Sequence, residues 1–225
     1  MISSAIERLA KIIEEEDEDE LKSFLSTEKG FRSSQYNPWS SLIHYVAGRE
    51  FDSAEEADDW LSYAIVQKNQ DIEKKSEMYG LRPLHCACEW GNIFGVEWLV
   101  THGANINVKD WMRRTPYSHA CGSSVDTMKK MVYLEEHGYI LSQPDIVWGA
   151  QNQFSSSEKA NEIFNYLVNE KGFSVNAIEE EGIHDYGGFT PLHSACENGS
   201  IFGVKWLVEH KADINSVDKV RRFHL

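Results

Sequence analysis

Apolar residues recur along the chain in short runs at three- and four-residue spacing, the period of helices that bury one face. Ala5, Ile6, Leu9, Ile12 and Ile13 mark one such run, and Leu21, Phe24 and Leu25 a second that ends at Lys29-Gly30-Phe31. Near the other end, Thr190-Pro191 starts a helix on which Leu192, Ala195 and Cys196 share a face, and Gly199 ends it. Thr caps the free N–H groups of a first turn, Pro fits that turn, and Gly suits the close. Ile201, Val204, Leu207 and Val208 outline the next helix, with His210 and Lys211 at its C-terminus, where cations suit the dipole. The pattern predicts pairs of short helices joined by turns.

The pairs repeat. Leu81–Asp110 laid over Phe189–Asp218, an offset of 108 without a gap, gives 19 identities in 30 positions. The matching residues include Pro-Leu-His, Ala-Cys-Glu, Ile-Phe-Gly-Val and Trp-Leu-Val. Arg82-Pro83-Leu84-His85 recurs 33 residues on as Thr115-Pro116-Tyr117-Ser118. A further copy is expected near Trp148, without the Pro and the His, and Ser41-Leu42-Ile43-His44 stands upstream. One helix pair has no second layer on which to bury its apolar face, so neighbouring pairs must stack.

Thr-Pro-Leu-His-x-Ala-x-x-x-Gly, a short apolar helix ending Leu-Val, then His-Gly-Ala-x-Ile-Asn, with a period of 33, resembles the ankyrin repeat. The likeness is close at 81–110 and 189–218, looser at 114–141 where Ser118 replaces the motif His, and faint at 40–72 and 145–176. It implies an all-α solenoid of stacked helix-turn-helix units with finger loops. Residues 1–36 are expected to form an N-terminal helical cap, and 37–225 to hold repeats near 40–72, 81–108, 114–141, 145–176 and 189–216. Asp218-Lys219-Val220-Arg221-Arg222 parallels Asp110-Trp111-Met112-Arg113-Arg114 and reads as the start of an incomplete repeat over 218–225. In such a repeat the motif His tightens the helix start, so His85 and His193 are expected to be structural. Asn107, Asn176 and Asn215 fall at the turn Asn.

Charge narrows the function. The 225 residues carry 22 Lys and Arg against 36 Asp and Glu, a formal charge of −14, and residues 1–80 hold 9 basic against 18 acidic side chains. Such a surface repels phosphate backbones, which argues against nucleic acid. No apolar stretch is long enough to span a membrane, and the N-terminus has no secretory pattern. Four cysteines set among Ala, Leu and His are those of a reduced compartment, so a cytoplasmic or nuclear location is expected.

Candidate chemistry is sparse. His and Cys lie close together at 85–88, 119–121 and 193–196, but equivalent slots of stacked repeats stand a repeat apart, too far for one tetrahedral metal site. Phosphate-loop, His-Glu-x-x-His and Gly-x-Ser-x-Gly signatures are all missing. No catalytic residue, metal ligand or cofactor is therefore assigned, and the expectation is not an enzyme. The acidic run Glu14–Glu20 reads as a solvated helix end, whereas Glu179-Glu180-Glu181 lies in an inserted loop, 177–188, of a kind that projects from a binding face.

Large side chains where the repeat expects polar ones carry more information. Trp111, Met112 and Arg113 fall at a finger tip, a composition that favours an interface hot spot. Trp90 has Asn198 as its counterpart, so packing does not demand it, and its expected place is beside the fingers. Tyr79 and Tyr186 fall on other fingers. For Trp111 two readings stay open: an exposed contact, or a ring folded back onto Met78 or Tyr117. Trp98 and Trp206 share one slot and read as structural. The function expected is non-catalytic binding of a neutral to basic protein through the concave face and fingers, with Tyr79, Trp90, Trp111, Met112, Arg113 and Tyr186 as contacts. The alternatives are an ankyrin segment of a larger multidomain regulatory protein and a metal- or redox-responsive binder.

Overall fold

In a computed structural model of the chain, the described residues are 4–35, 40–123, 125–179 and 187–218. Two compact units divide it, Met1–Trp111 and Met112–Leu225. Each contains three helix pairs among its described residues, and the only strand-like feature there is an isolated bridge between Glu179 and Phe189.

In the first unit, α1 (Ser4–Glu14) pairs with α2 (Glu18–Thr27), α3 (Leu42–Ala47) with α4 (Ala54–Ser62), and α5 (Pro83–Glu89) with α6 (Ile93–Thr101). α1 packs on α3, α3 on α5, and α4 on α6. The predicted apolar stripe of the first pair is buried at Ile6, Leu9, Ile12, Leu21, Phe24 and Leu25. The acidic run makes the join between these helices. The Asp17 carboxylate accepts the Glu20 N–H at 2.9 Å as N-cap, and Glu18–Glu20 occupy the first turn, where negative charge suits the dipole.

In the second unit, α7 (Pro116–Gly122) pairs with α8 (Thr127–Glu136), α9 (Pro144–Ala150) with α10 (Ser157–Asn165), and α11 (Pro191–Glu197) with α12 (Ile201–Glu209). α7 packs on α9, α9 on α11, and α10 on α12. Both α4 and α10 start on a serine cap, Ser53 to Glu56 N–H at 3.1 Å and Ser156 to Lys159 N–H at 3.3 Å. Both run on into one π-helical turn, Tyr63–Gln67 and Tyr166–Glu170, and a lysine closes each: the Lys68 N–H donates to Tyr63 O at 3.1 Å and the Lys171 N–H to Tyr166 O at 3.0 Å. The same lysines lie over the tyrosine rings, at 6.0 and 4.9 Å.

The motif histidines do the work expected at helix starts. His85 Nδ1 accepts the Arg82 N–H at 3.0 Å, and His193 Nδ1 accepts the Thr190 N–H at 3.2 Å. His44, in the faint copy, does the same for Ser41 at 3.2 Å, and its Nε2 donates toward the carbonyls of Lys74 and Leu81, both at 3.0 Å. Burial of this neutral ring holds its pKa below the ordinary value, against the raising effect of those backbone bonds.

Two sequence expectations are corrected. The copy expected near Trp148 starts earlier, at Pro144, with Gln143 in the slot of the motif Pro and Pro144 one place on. Asp145 replaces the His, accepting the Ser142 N–H at 2.8 Å. A carboxylate serves because the helix start needs an acceptor three residues on, not an imidazole as such. On α12 the buried stripe is Gly203, Trp206 and Leu207, whereas Ile201 and Val208 are 66% and 48% exposed. Spacing alone misplaced the stripe, because an apolar helix matches several faces at once.

The second unit also buries a polar network. The Glu135 carboxylate accepts the hydroxyls of Tyr117 at 2.7 Å and Tyr166 at 3.0 Å and pairs with Lys171. The Tyr117 and Tyr139 rings stack with centroids 4.6 Å apart, and the Tyr139 hydroxyl donates to Asp145 at 2.6 Å. Burial first, and nearby groups including these carboxylates second, push both phenols far up, so they stay neutral donors.

Candidate protein-interaction surface

The finger of the first unit is built from backbone bonds. The Ser76 N–H donates to Leu81 O at 2.8 Å, the Leu81 N–H returns to Ser76 Oγ at 3.0 Å, and the Gly80 N–H reaches Ser76 O at 3.1 Å. This closed loop leaves Gly80 at φ +65°, which side-chain-bearing residues rarely adopt. The next finger is tied to it twice. The Trp111 N–H donates to Tyr79 O at 2.9 Å, and the Asn105 N–H donates to the Glu73 carboxylate at 2.7 Å. Glu73 also pairs with Arg82 at 3.1 Å. Asn107 stabilises its turn through its own N–H, bonded to Asn105 Oδ1 at 3.0 Å. In the second unit, Asn176 Oδ1 accepts the Asp213 N–H at 2.8 Å.

This bracing holds three large side chains in solvent: Met78, Tyr79 and Trp111 are 49%, 39% and 55% exposed. The Trp111 indole lies flat over Gly80, where a β-carbon would stand 2.5 Å from ring atoms Cδ1 and Nε1. The platform is glycine backbone, and the Trp111 side chain stays more than half exposed. Met78 belongs to the same tip. Its sequence signal was a large apolar residue one place before Tyr79.

The other candidates fall differently. Met112 and Arg113 follow Trp111 in the chain and belong to the second unit. Met112 is 39% exposed, and Arg113 is half-buried with φ +60°. Trp90 is not beside the fingers. It is the C-cap of α5, half-buried with its ring edge against Gly48, one helix length (roughly 10 Å at 1.5 Å per residue) from the finger end. A helix that starts at a finger must end away from it. Tyr186 lies outside the described residues, as do Glu180 and Glu181, while Glu179 is buried. Trp98 and Trp206 are both buried, and each stacks on the histidine four residues on, at 3.7 Å.

The cysteines offer little chemistry. Cys86, Cys88 and Cys121 are buried, and burial pushes the Cys86 thiol well above its ordinary pKa, which keeps it protonated and unreactive. Among the described residues, no three His, Cys, Asp or Glu side chains are grouped to hold a metal ion, and no helix is long and apolar enough to cross a membrane.

Comparison with known proteins agrees with this geometry. Residues 53–145 and 149–218 match the family described as ankyrin repeats in three copies. The chain is similar to human transient receptor potential cation channel subfamily A member 1, 28% identical over 195 residues, which cover 68% of this chain and 17% of the channel subunit. It is also similar to Rabankyrin-5, 30% identical to the human and 24% to the mouse protein over 144 residues, 61% of this chain and 11% of each relative. The chain thus spans under a fifth of the length of these relatives. With the repeated helix pairs, the histidine-locked starts and the braced fingers, the match shows that the chain belongs to the ankyrin-repeat family.

Proposed function

We propose that this chain is a non-catalytic protein-recognition module that holds a neutral to basic protein through its finger loops and the concave face expected of the repeats. The observation that carries the reading is the braced tip at Met78, Tyr79 and Trp111, where large side chains sit in water on a backbone fixed by hydrogen bonds. A preformed apolar tip loses little ordering entropy on binding, and Trp and Tyr are the residues that most often anchor protein contacts. Met112, Arg113 and Tyr186 extend the proposed contact set. Ankyrin repeats in general are protein-interaction modules, and the acidic surface favours a cationic partner.

The test is quantitative capture of partners from cell lysate by the wild type and by Trp111→Ser/Met112→Ser, with thermal melts of both. The reading expects an unchanged melt and a weakened specific capture. A large fall in melting temperature would place the two side chains inside the fold and end the proposal.

A second reading is favoured by the lengths of the relatives. The chain matches only 17% and 11% of a channel subunit and of Rabankyrin-5, which fits an ankyrin segment of a larger regulatory protein. Sequencing the full transcript decides it: an open reading frame that continues through further domains supports this reading, and one confined to these 225 residues removes it.

A further inference from the structure

A cavity of about 630 Å³ lies in the first unit, between the α1–α2 turn and the finger that follows α4. Its volume falls in the range of ligand sites. Ile12, Ile13 and Leu21 supply its apolar lining. Its walls differ in charge. Glu16 and Asp17 stand on the helix-turn side, and Lys74 and Lys75 with Glu77 stand on the finger side.

The ion pairs of the acidic run show which of these charges are committed. Glu14 pairs with Lys68, Glu15 with Lys11, Glu18 and Asp19 with Lys22, and Glu20 with Arg8. Asp17 caps α2. Glu16, at φ +55° where the turn leaves α1, has no basic partner among the described residues, and Lys74 and Lys75 have no acidic one there. The uncommitted charges of this stretch thus border the cavity, negative on one wall and net positive on the other.

We propose that this cavity is a second peptide site, separate from the Trp111 tip. It takes a linear segment whose large apolar side chain is flanked by Lys or Arg on one side and by Asp or Glu on the other. The apolar side chain fills the space over Ile13 and Leu21. The cations of the segment face Glu16 and Asp17, and its anions face Lys74 and Lys75. A purely basic ligand would meet the two lysines, and a purely acidic one would meet the acidic wall, so charge complementarity selects the mixed segment.

The probe is a fluorescein-labelled, end-blocked peptide carrying Lys-Arg-Leu-Phe-Glu-Asp in a Gly/Ser background, followed by fluorescence anisotropy with the full chain. The proposal expects saturable one-to-one binding that weakens about tenfold when Leu-Phe is replaced by Ser-Ser. Glu16→Lys should weaken binding on the order of several-fold, and replacing Lys-Arg in the peptide by Glu-Glu should restore it. Lys74→Glu/Lys75→Glu should weaken it similarly and be rescued by Lys-Lys in place of Glu-Asp. Tyr79→Ser/Trp111→Ser should bind the probe like the wild type, which separates this site from the finger reading. All three positions of the wall variants are exposed, and circular dichroism melts report that each variant stays folded. No saturable binding, equal binding of the Ser-Ser peptide, or charge reversals without rescue would each overturn the proposal.

Discussion

Two tryptophans at one repeat slot find different partners. In the first unit the Trp98 indole N–H donates to the Asp58 carboxylate at 2.7 Å. In the second, Trp206 is buried and its Nε1 has no hydrogen-bond partner among the described residues. Asp58 is the fifth residue of α4, and its counterpart, the fifth residue of α10, is Asn161. α4 packs on α6 as α10 packs on α12, so the two indoles meet equivalent helix faces. A buried donor left unpaired costs about 1–3 kcal/mol. Asn161→Asp supplies two acceptor oxygens and removes an amide that needs partners of its own. The position is exposed, so solvent screening trims the gain to about 1 kcal/mol, a rise of roughly 2–4 °C in melting temperature for a chain of this size. Asp58→Ala should lose a comparable amount from the first unit. Thermal and urea melts give the stabilities, and hydrogen exchange at the Trp206 indole N–H reports whether the bond forms. Phe164 stacks on Trp206 with centroids 4.8 Å apart, where the first unit has Leu61. If Asn161→Asp changes neither the melt nor the exchange while Asp58→Ala destabilises, the Phe164 stack sets the ring, and equivalence of slots is refuted as a guide to bonding.

Gly80→Ala should lower stability by about 1–2 kcal/mol, since a β-carbon is strained at φ +65° and stands 2.5 Å from Trp111. The indole resonance of Trp111 should move at the same time, and a silent melt would show that the left-handed turn is absent. Burial lowers the pKa of His44 from its ordinary 6.5, so the folded state takes up this proton less readily than the unfolded chain. Stability from this ring is whole above pH 6.5 and declines as pH falls below it, until the folded imidazole itself protonates. Urea midpoints at pH 7.5 and pH 5.5 should therefore differ less in His44→Gln than in the wild type. Ser53→Ala and Ser156→Ala each remove one capping bond and should cost about 1 kcal/mol apiece, read from the same melts.

The residues that make the fold were largely legible in the chain. Pro-Leu-His and Thr-Pro mark helix starts because few residues satisfy free N–H groups at a first turn, so position and chemistry coincide. His44 was harder to read, since its partners Lys74 and Leu81 are thirty and more residues away. The π-helical turns carried a signal too: Ser53 and Ser156, Ala57 and Ala160, Tyr63 and Tyr166, and Lys68 and Lys171 repeat at an offset of 103 rather than 108. A single search offset misses a match whose spacing changes along the chain. Exposure at the candidate site was legible only in part. Trp111 and Tyr79 stood out as large residues in polar slots, but the glycine platform and the N–H bond to Tyr79 depend on how two distant turns meet. Trp90 was misplaced because the side of a helix was inferred without asking which end of it the residue occupies.

The internal duplication separates what the fold requires from what it leaves open. Between 81–110 and 189–218, the identical positions include both buried tryptophans, the motif histidines and the Gly-Val and Ala-Cys contacts. All of these act at helix starts or between stacked helices, where the packing constraint is the same in both copies. The positions that differ include buried ones, such as Cys86 against Ser194 and Asn92 against Ser200, and less buried ones: Trp90 against Asn198, Asn105 against Asp213, and, just beyond the matched segment, Trp111 against Lys219. Trp111 is held half in water over a glycine that cannot be replaced without strain. The exposed part of such a ring, about half of the roughly 250 Å² a tryptophan can bury, would yield about 3 kcal/mol if a partner covered it. Within the folded chain that area contributes nothing. Under the proposed function the energetic use of Trp111 would lie in binding, and its absence from the sister position would give the two copies different surfaces for other molecules.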